Sequence, residues 1–329
     1  MTLIVLFGGQ SDERHVSVAS AQNIASHLDA PLCWFWAPNG AVHDVAPDEL
    51  LRHANPFLDD YVPSRPAIWP DIEQALDTLP VEDPIFVLAL HGGAGEDGTL
   101  QRMLERRGIP FTGSGSEASA VAFDKERAKE RLRGHVAMAE SRVANDESIR
   151  DMFTRHEKLV LKPVAGGSSR GLYFVTRHDE IPELEVSYMV EQFLSGRELT
   201  VGVVEGVALP VLEVEIDPGR DFDYDGKYLG KGSHEICPAR IPDSMRDAVQ
   251  RAGVIAHERL GCDGYSRTDV VAADDGTVYF LETNTLPGMT KASLVPQELA
   301  AAGISMRDFL DRQVTLALQR SSRAPRSSR

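Results

Sequence analysis

Four residues in the stretch GYSRTDVVAADDGTVYFLETN are placed to do chemistry together: Arg267, Asp269, Glu282 and Asn284. YSRTDVVAA and TVYFLETN are β-branched and aromatic runs, and Asp274-Asp275-Gly276 between them is a turn signal for an antiparallel hairpin. With Asp275-Gly276 as a two-residue loop, Asp274 faces Thr277, Asp269 faces Glu282 and Arg267 faces Asn284. Strand side chains alternate, so Arg267, Asp269, Glu282 and Asn284 point to one face. Two carboxylates set opposite one another repel unless a cation lies between them. A hard divalent ion, Mg2+ (or Mn2+), meets that need, because it takes oxygen ligands and few protein carboxylates, with phosphate oxygens and water completing its shell. Asp269, Glu282 and Asn284 supply the oxygens, and Arg267 is left free for a substrate or transition-state charge. The plainer alternative is a solvated polar face on an edge hairpin; Val270, Val271, Val278, Phe280 and Leu281 on the same strands favour a core position.

The elements that must position such a site follow from the flanking patterns. Leu286-Pro287-Gly288-Met289-Thr290 leaves the hairpin through a glycine-containing loop, and Ser293 stands just before VPQELAAAG, a helix whose first turn accepts Pro296. A helix start with a serine beside it can hold a carboxylate. At the other end of the chain, TLIVLF, GGQSDER and HVSVASAQNIASHL read as buried strand, glycine turn and amphipathic helix, the opening of an α/β unit with Glu13 in the turn. The plain role for Glu13 is to complement the helix dipole. PIFVLALHGGAGEDGT repeats the pattern and puts His91 at a second strand end, aimed at the same crevice. KLVLKPVAGGSSRGLYFV reads as two strands joined by Gly166, Gly167, Ser168, Ser169 and Arg170. A Gly/Ser loop beside the strand lysine Lys162 suits phosphate cover, where the bland reading is an ordinary hairpin. SYMVEQFLSGRELTVGVVEG is strand, break and strand, with Glu191 and Glu198 flanking the break, one way to meet an adenine edge and a ribose. DFDYDGKYLGKGSHEICPA, with Lys227 and Tyr228, reads as a long polar loop, and loops of that length inside a compact domain usually carry function.

The totals narrow the class. A chain of 329 residues exceeds what one core usually holds, so two or three units are expected, with a boundary near Thr112. The net charge of −16 argues against nucleic acid as the main partner. Cys33, Cys237 and Cys262 show no metal-ligand spacing and read as thiols of a reducing cytoplasm. No run approaches membrane-spanning length, and MTLIVLF lacks the features of a secretion signal. The Arg/Ser-rich end reads as a disordered tail.

The segments GGQSDERHVS, LHGGAGEDGTLQ, FTGSGSEASAVAFDK, KPVAGGSSRG, VEQFLSGRELTV, YDGKYLGKG, CPA, GYSRTDV and LETNTLPGMTKASLVP resemble, in order and over nearly the full length, the D-alanine–D-alanine ligases of the ATP-grasp superfamily. The resemblance implies an α/β (α+β) ATP-grasp fold: a Rossmann-like substrate domain over 1–113, a central subdomain over 114–191, a catalytic subdomain over 192–320, and a tail over 321–329. It implies joining of two D-alanines through a D-alanyl phosphate for peptidoglycan precursors, with ATP as co-substrate, a monovalent cation allowed for, and a cytoplasmic homodimer as the assembly. Lys125 and Lys162 would contact ATP phosphates, Glu191, Gln192, Phe193 and Leu194 the adenine, Glu198 the ribose, and Lys227 the transferred phosphoryl group. Asp269, Glu282 and Asn284 would hold the metal, Asn284 also touching ATP. Glu13 would take the first D-alanine's ammonium group, with His91 beside its reacting carboxylate. Glu13, Ser168 and Tyr228 would close the loop over the site. Arg267 and the Gly288 N–H would stabilise the tetrahedral oxyanion, and Ser293 and Leu294 would seat the second D-alanine's carboxylate. His15, Ala165-Gly166, Arg170 and Ala94 depart from the family's usual residues and bear on amino-acid specificity. Two other readings stay open on the sequence: an ATP-grasp ligase of other amino acids, and a catalytically silent ATP-binding protein.

Overall fold

The computed structural model describes residues 1–166, 171–177, 181, 183, 184, 186–216 and 233–323. The first apolar run becomes β1 (Thr2–Gly8), buried from Ile4 onward, followed by α1 (Arg14–Ala25), β2 (Leu32–Trp36), β3 (Val42–Val45), α2 (Pro47–Arg52), α3 (Ile72–Asp77), β4 (Pro84–Leu88) and α4 (Thr99–Arg106). β1 lies parallel to both β2 and β4 in the order β3-β2-β1-β4, and successive residues from Ile4 onward are buried on both faces, so its sequence is apolar without alternation. The chain turns out of β1 at Gly8 with φ +92°, where a Cβ would meet the Trp36 carbonyl oxygen at 2.5 Å. Ser17 of α1 then ties the two strand exits together: its hydroxyl accepts the Gly8 N–H and donates to the Ala89 carbonyl, both at 2.7 Å.

The middle of the chain runs through α5 (Ser116–Phe123), α6 (Lys125–Leu132), β5 (Ala137–Met138), β6 (Ser141–Val143), α7 (Asp146–Phe153), β7 (Leu159–Pro163), β8 (Tyr173–Val175) and β9 (Tyr188–Gln192). β6, β9, β7 and β8 form an antiparallel sheet with its own core of Ile149, Met152, Leu159, Leu161, Val175 and Val190. The third sheet has the order β13-β12-β10-β14-β15-β5, with β11 on the end of β10. Its members are β10 (Arg197–Val204), β11 (Val207–Ala208), β12 (Leu212–Ile216), β13 (Ser233–Ile236), β14 (Tyr265–Ala272), β15 (Val278–Asn284) and the short β5. α8 (Asp243–Leu260) covers one face, where Leu199, Val201, Val249 and Val270 pack. α9 (Leu294–Ala301) and α10 (Met306–Arg323) return to the N-terminal unit: Leu286, Met289, Val295, Leu299, Phe309 and Val314 share a core with β1, β2 and β4.

Two sequence expectations need correction. SHEI, read as part of a polar loop, is strand β13, paired antiparallel with β12. The hairpin turn is also one residue longer than counted. Ala273 N–H donates to the Thr277 carbonyl at 2.9 Å, so Asp274-Asp275-Gly276 form the loop and Asp274 does not face Thr277. The offset is undone by a bulge: Val270 pairs with Phe280, but Asp269 pairs with Glu282, leaving Leu281 extra. Phe280 thereby packs under α8 while Glu282, two residues on, turns to the opposite face.

Candidate functional site

The face of the third sheet opposite α8 carries the predicted quartet. Arg267 pairs with Asn284 and Asp269 with Glu282, as the sequence register expects. β10 extends the rows, with Gly202 opposite Arg267, Thr200 opposite Asp269 and Glu198 opposite Val271. Arg267 is not left free. Its Nε and Nη2 reach Asp269 Oδ1 and Oδ2 at 2.8 and 2.7 Å, a bidentate pair. Thr200 Oγ1 donates to Asp269 Oδ1 at 2.7 Å, and Asn284 Nδ2 lies 3.4 Å from Oδ2. Beside Glu282 stands Lys125, whose Nζ lies 3.4 Å from Oε2. Repulsion between the two facing carboxylates is thus met by one side-chain cation each.

Lys125 reaches this point because the start of α6 is tied to the exit of β7: its N–H donates to the Val164 carbonyl at 3.0 Å and its Nζ to the Gly166 carbonyl at 2.5 Å. Lys125, Gly166, Glu282, Asn284, Thr285 and Glu96 line one pocket. Glu282 and Asn284 offer it hard oxygen donors beside a lysine and a glycine backbone, a set that suits Mg2+ shared with phosphate oxygens rather than an all-protein cage. Among the described residues, no three His, Cys, Asp or Glu side chains gather as a metal cluster.

The chain holds seven lysines, and three converge here. Lys162 Nζ lies 2.6 Å from Glu191 Oε2, and Lys129 Nζ contacts Glu191 Oε1. All three side chains are buried. Burial works to raise the Glu191 carboxyl, but the Lys162 and Lys129 ammoniums outweigh it and hold it below its usual range. Lys129 was missed by the sequence reading, although a second lysine four positions after Lys125 on one helix face was the available sign. Glu191 therefore spends both oxygens on lysines. At the break that follows, Gln192 N–H donates to the Glu140 carbonyl at 2.9 Å and Phe193 N–H to the Lys158 carbonyl at 3.2 Å. The Lys158 ammonium sits 4.0 Å above the Phe193 ring. Leu194 is half-buried in the connection to β10, and Glu198 lies on the site face of that strand.

Glu13 stands at the N-cap position of α1, and Gly92, held at φ +64°, leaves room for its side chain, since a Cβ there would stand 2.5 Å from Glu13 Oε2. His91 is buried, with Nε2 2.9 Å from Ser20 Oγ and Nδ1 3.0 Å from the Leu286 carbonyl. A carbonyl only accepts, so Nδ1 carries a proton and donates to it. Glu96, also missed, stands 3.8 Å from His91 Nδ1 and lines the lysine pocket, so one residue touches both halves of the site. Burial pushes its carboxyl up, with His91 opposing. Met289 N–H donates to Ser20 Oγ at 3.1 Å, and Asn23 Nδ2 to the Met289 carbonyl at 2.7 Å. Gly288 lies in this stitched segment, where a Cβ would meet Ser293 Oγ at 2.7 Å. Ser293 precedes α9 as its N-cap, with Leu294 its first residue; its hydroxyl accepts the Thr290 N–H at 3.1 Å and shares a hydrogen bond with Thr290 Oγ1 at 2.8 Å. Ser168, Lys227, Tyr228 and Arg170 lie outside the described residues, as do positions 324–329 of the expected tail, whose first three positions, 321–323, are instead the last residues of α10.

The family models described as D-ala D-ala ligase N-terminus and C-terminus match residues 2–114 and 136–315. The chain is 36% identical to the D-alanine–D-alanine ligase of Leptospira interrogans serogroup Icterohaemorrhagiae serovar Lai, over 97% of this chain and 99% of that one. It is 36% identical to the enzyme of that name from Desulfotalea psychrophila, over 98% and 96%. Among solved structures, the VanG D-Ala:D-Ser ligase from Enterococcus faecalis superposes with a TM-score of 0.79 at 26% identity, covering 96% of this chain and 99% of that one. The D-alanine–D-alanine ligase of Bacillus anthracis gives 0.75 at 27%, covering 98% and 99%. With both family models matched and relatives of this identity aligned end to end, the fold is ATP-grasp and the chain belongs to the D-alanine–D-alanine ligase family.

Proposed function

We propose that this chain joins two D-alanine molecules at the expense of ATP, through a D-alanyl phosphate, for peptidoglycan precursor synthesis. The observation that carries the reading is the continuity of the site: Glu96 lines the lysine pocket and reaches His91, whose Nδ1–H is bound by the chain leaving the Asp269–Glu282 hairpin. On this reading the phosphate wall and the amino-acid wall belong to one cleft.

In the first step a carboxylate oxygen of the first D-alanine attacks the γ-phosphorus, the bond to ADP breaks, and an acyl phosphate results. Lys125 and Lys162 hold phosphate oxygens, as does Lys227, and Glu13 holds the substrate ammonium with His91 beside its carboxylate. Asp269, Glu282 and Asn284 would hold Mg2+ (or Mn2+), which supplies charge neutralisation on the phosphates. Glu191 through Leu194 and Glu198 take the nucleoside. Since Glu191 Oε1 and Oε2 face Lys129 and Lys162, the adenine contact falls to the backbone and side chains that follow. In the second step the deprotonated amine of the second D-alanine, seated by its carboxylate at Ser293 and Leu294, attacks the acyl carbon. Arg267 and the Gly288 N–H bind the oxyanion, and phosphate leaves. Ser168 and Tyr228 close over the cleft with Glu13 and keep water from the acyl phosphate. The same proposal takes the units as 1–113, 114–191 and 192–320, and the assembly as a cytoplasmic homodimer.

A second reading, a different amino acid as nucleophile, draws on the D-Ala:D-Ser ligase among the structural neighbours. Phosphate release from Mg-ATP with D-alanine alone, with the product identified by mass, separates the two. A D-Ala-D-Ala mass is expected. Release only after a second amino acid is added favours the other nucleophile, and absence of ATP binding overturns both.

A further inference from the structure

Glu298 of α9 is fully buried and faces the sheet that carries Arg267. Its Oε2 accepts the Gly202 N–H at 2.7 Å, while Oε1 is buried with no hydrogen-bond partner. The seat for this carboxyl is cut into the sheet. β10 pairs with β12 up to Thr200 and with β11 from Val203, so the edge at Gly202 lies between two partners. Gly202 itself has no side chain to fill the gap, and a Cβ there would stand 2.5 Å from Glu298 Oε2. Gly202 is also the residue opposite Arg267. The neighbouring residue adds a second tie: Gln297 Nε2 contacts Glu235 Oε2 of β13 and lies 3.0 Å from the Ala292 carbonyl. Two successive residues of α9 thus fasten it to two strands of the catalytic sheet. Among the described residues, the charged or titratable groups that act on or feel Glu298 are Arg267, Asp269 and Cys237.

We propose that Glu298 is a positioning residue for the second substrate: its carboxyl in the Gly202 notch fixes the distance between the start of α9, where Ser293 and Leu294 seat the incoming carboxylate, and the Arg267 guanidinium on β14. This rests on the reading of Ser293 and Leu294 given above. Glu298 lies five positions after Ser293, about one and a half helical turns, so a shift of the clamp passes to the seat with little damping. A seat displaced by a fraction of an ångström costs attack geometry at the acyl carbon while leaving the first D-alanine and ATP in place.

The test is steady-state ligation with the two D-alanine subsites resolved kinetically, on the full chain. Glu298→Ala is expected to raise the KM of the second D-alanine about tenfold or more, about 1.4 kcal/mol for each factor of ten, with the KM values for ATP and the first D-alanine unchanged. Glu298→Gln keeps an oxygen for the Gly202 N–H and should restore the second KM to within about twofold of the parent, well under one such factor. Gly202→Ala, which fills the notch from the other side, should reproduce the Glu298→Ala defect. Equal rises in all three KM values, or no rescue by glutamine, would show a general packing role and overturn the proposal. Ser293→Ala serves as the control on the seat: if it leaves the second KM unmoved the seat reading fails, and if it raises that KM while Glu298→Ala does not, the clamp alone fails.

Discussion

Asp269 and Arg267 were expected to work apart, the one on a metal and the other on a substrate charge, yet the two are joined by a bidentate pair. Arg267→Ala therefore removes the proposed oxyanion donor and also releases the Asp269 carboxylate beside Glu282. Dipeptide turnover should fall about 100- to 1,000-fold, the usual loss for one such donor, with ATP binding retained in an equilibrium titration. Arg267→Lys keeps the charge without the fork and should recover only part of that loss. Near-normal turnover of Arg267→Ala would remove it from the mechanism. Glu191 offers a stability counterpart. It neutralises two buried ammoniums, and Glu191→Gln leaves them facing each other, so unfolding free energy should drop by about 3–5 kcal/mol in a denaturant titration. Glu298 supplies a pH signature. Burial pushes its carboxyl up to about 8 from an ordinary 4.5, the Gly202 N–H and Arg267 opposing. Between those values the folded chain holds a proton that the unfolded chain has released. The associated stability is present below pH 4.5 and is lost as pH rises through 8. Glu298→Gln should gain in Tm over the parent progressively from acid to alkaline pH, and a constant difference would refute the assignment.

At the level of elements, the hairpin shows how two local departures can cancel. The loop is one residue longer than a two-residue turn, and the bulge at Leu281 shifts the ladder back before the site residues are reached. Simple counting thus arrives at the right site pairs while missing both features. The glycines that shape such turns are not equivalent. Gly276 has φ +84° with open space around it, so Gly276→Ala should cost only the left-handed strain, about 1–2 kcal/mol, and leave ligation intact. Gly8 has φ +92° and a carbonyl oxygen where Cβ would go, so Gly8→Ala should lose more stability than Gly276→Ala and disturb the Ser17 ties at the β1 exit. Thermal unfolding of the two variants beside the parent measures the difference; equal losses would mean the Gly8 surroundings yield.

For the whole molecule, the largest core joins the first strands to the last helices, and the middle sheet has a core of its own. Arg320 near the end of α10 makes the join explicit: its Nη2 donates to the Phe111 carbonyl at 2.6 Å, its Nη1 contacts the Gly113 carbonyl, and its guanidinium stacks 4.3 Å over the Phe111 ring. Arg320→Ala should lower unfolding free energy by about 1–3 kcal/mol through the unpaired carbonyls. Hydrogen exchange should rise in β1 and β4 together with α10, while β7 and β9 keep their protection. The net charge of −16 poses a question that the fold answers. Locally the balance is different, since Lys125 stands beside Glu282 and Lys129 and Lys162 meet at Glu191, and under the proposed function Lys125 and Lys162 are the cations that face the nucleotide's phosphates.

The strands, the glycine turns and the hairpin quartet were legible in the sequence because alternation and turn chemistry are local and need only a few neighbouring residues to be recognised. Glu13 and His91 could be placed at strand ends for the same reason. Three-dimensional packing alone decided which charges meet. Lys129 and Glu191 are 62 positions apart, and Glu298 and Gly202 are 96 apart. No periodicity links such residues, since a buried charge finds its partner only when separate elements close around it and exclude water. The same packing took Arg267 from a free cation to the partner of Asp269, and it made a strand of SHEI by giving it an edge on β12.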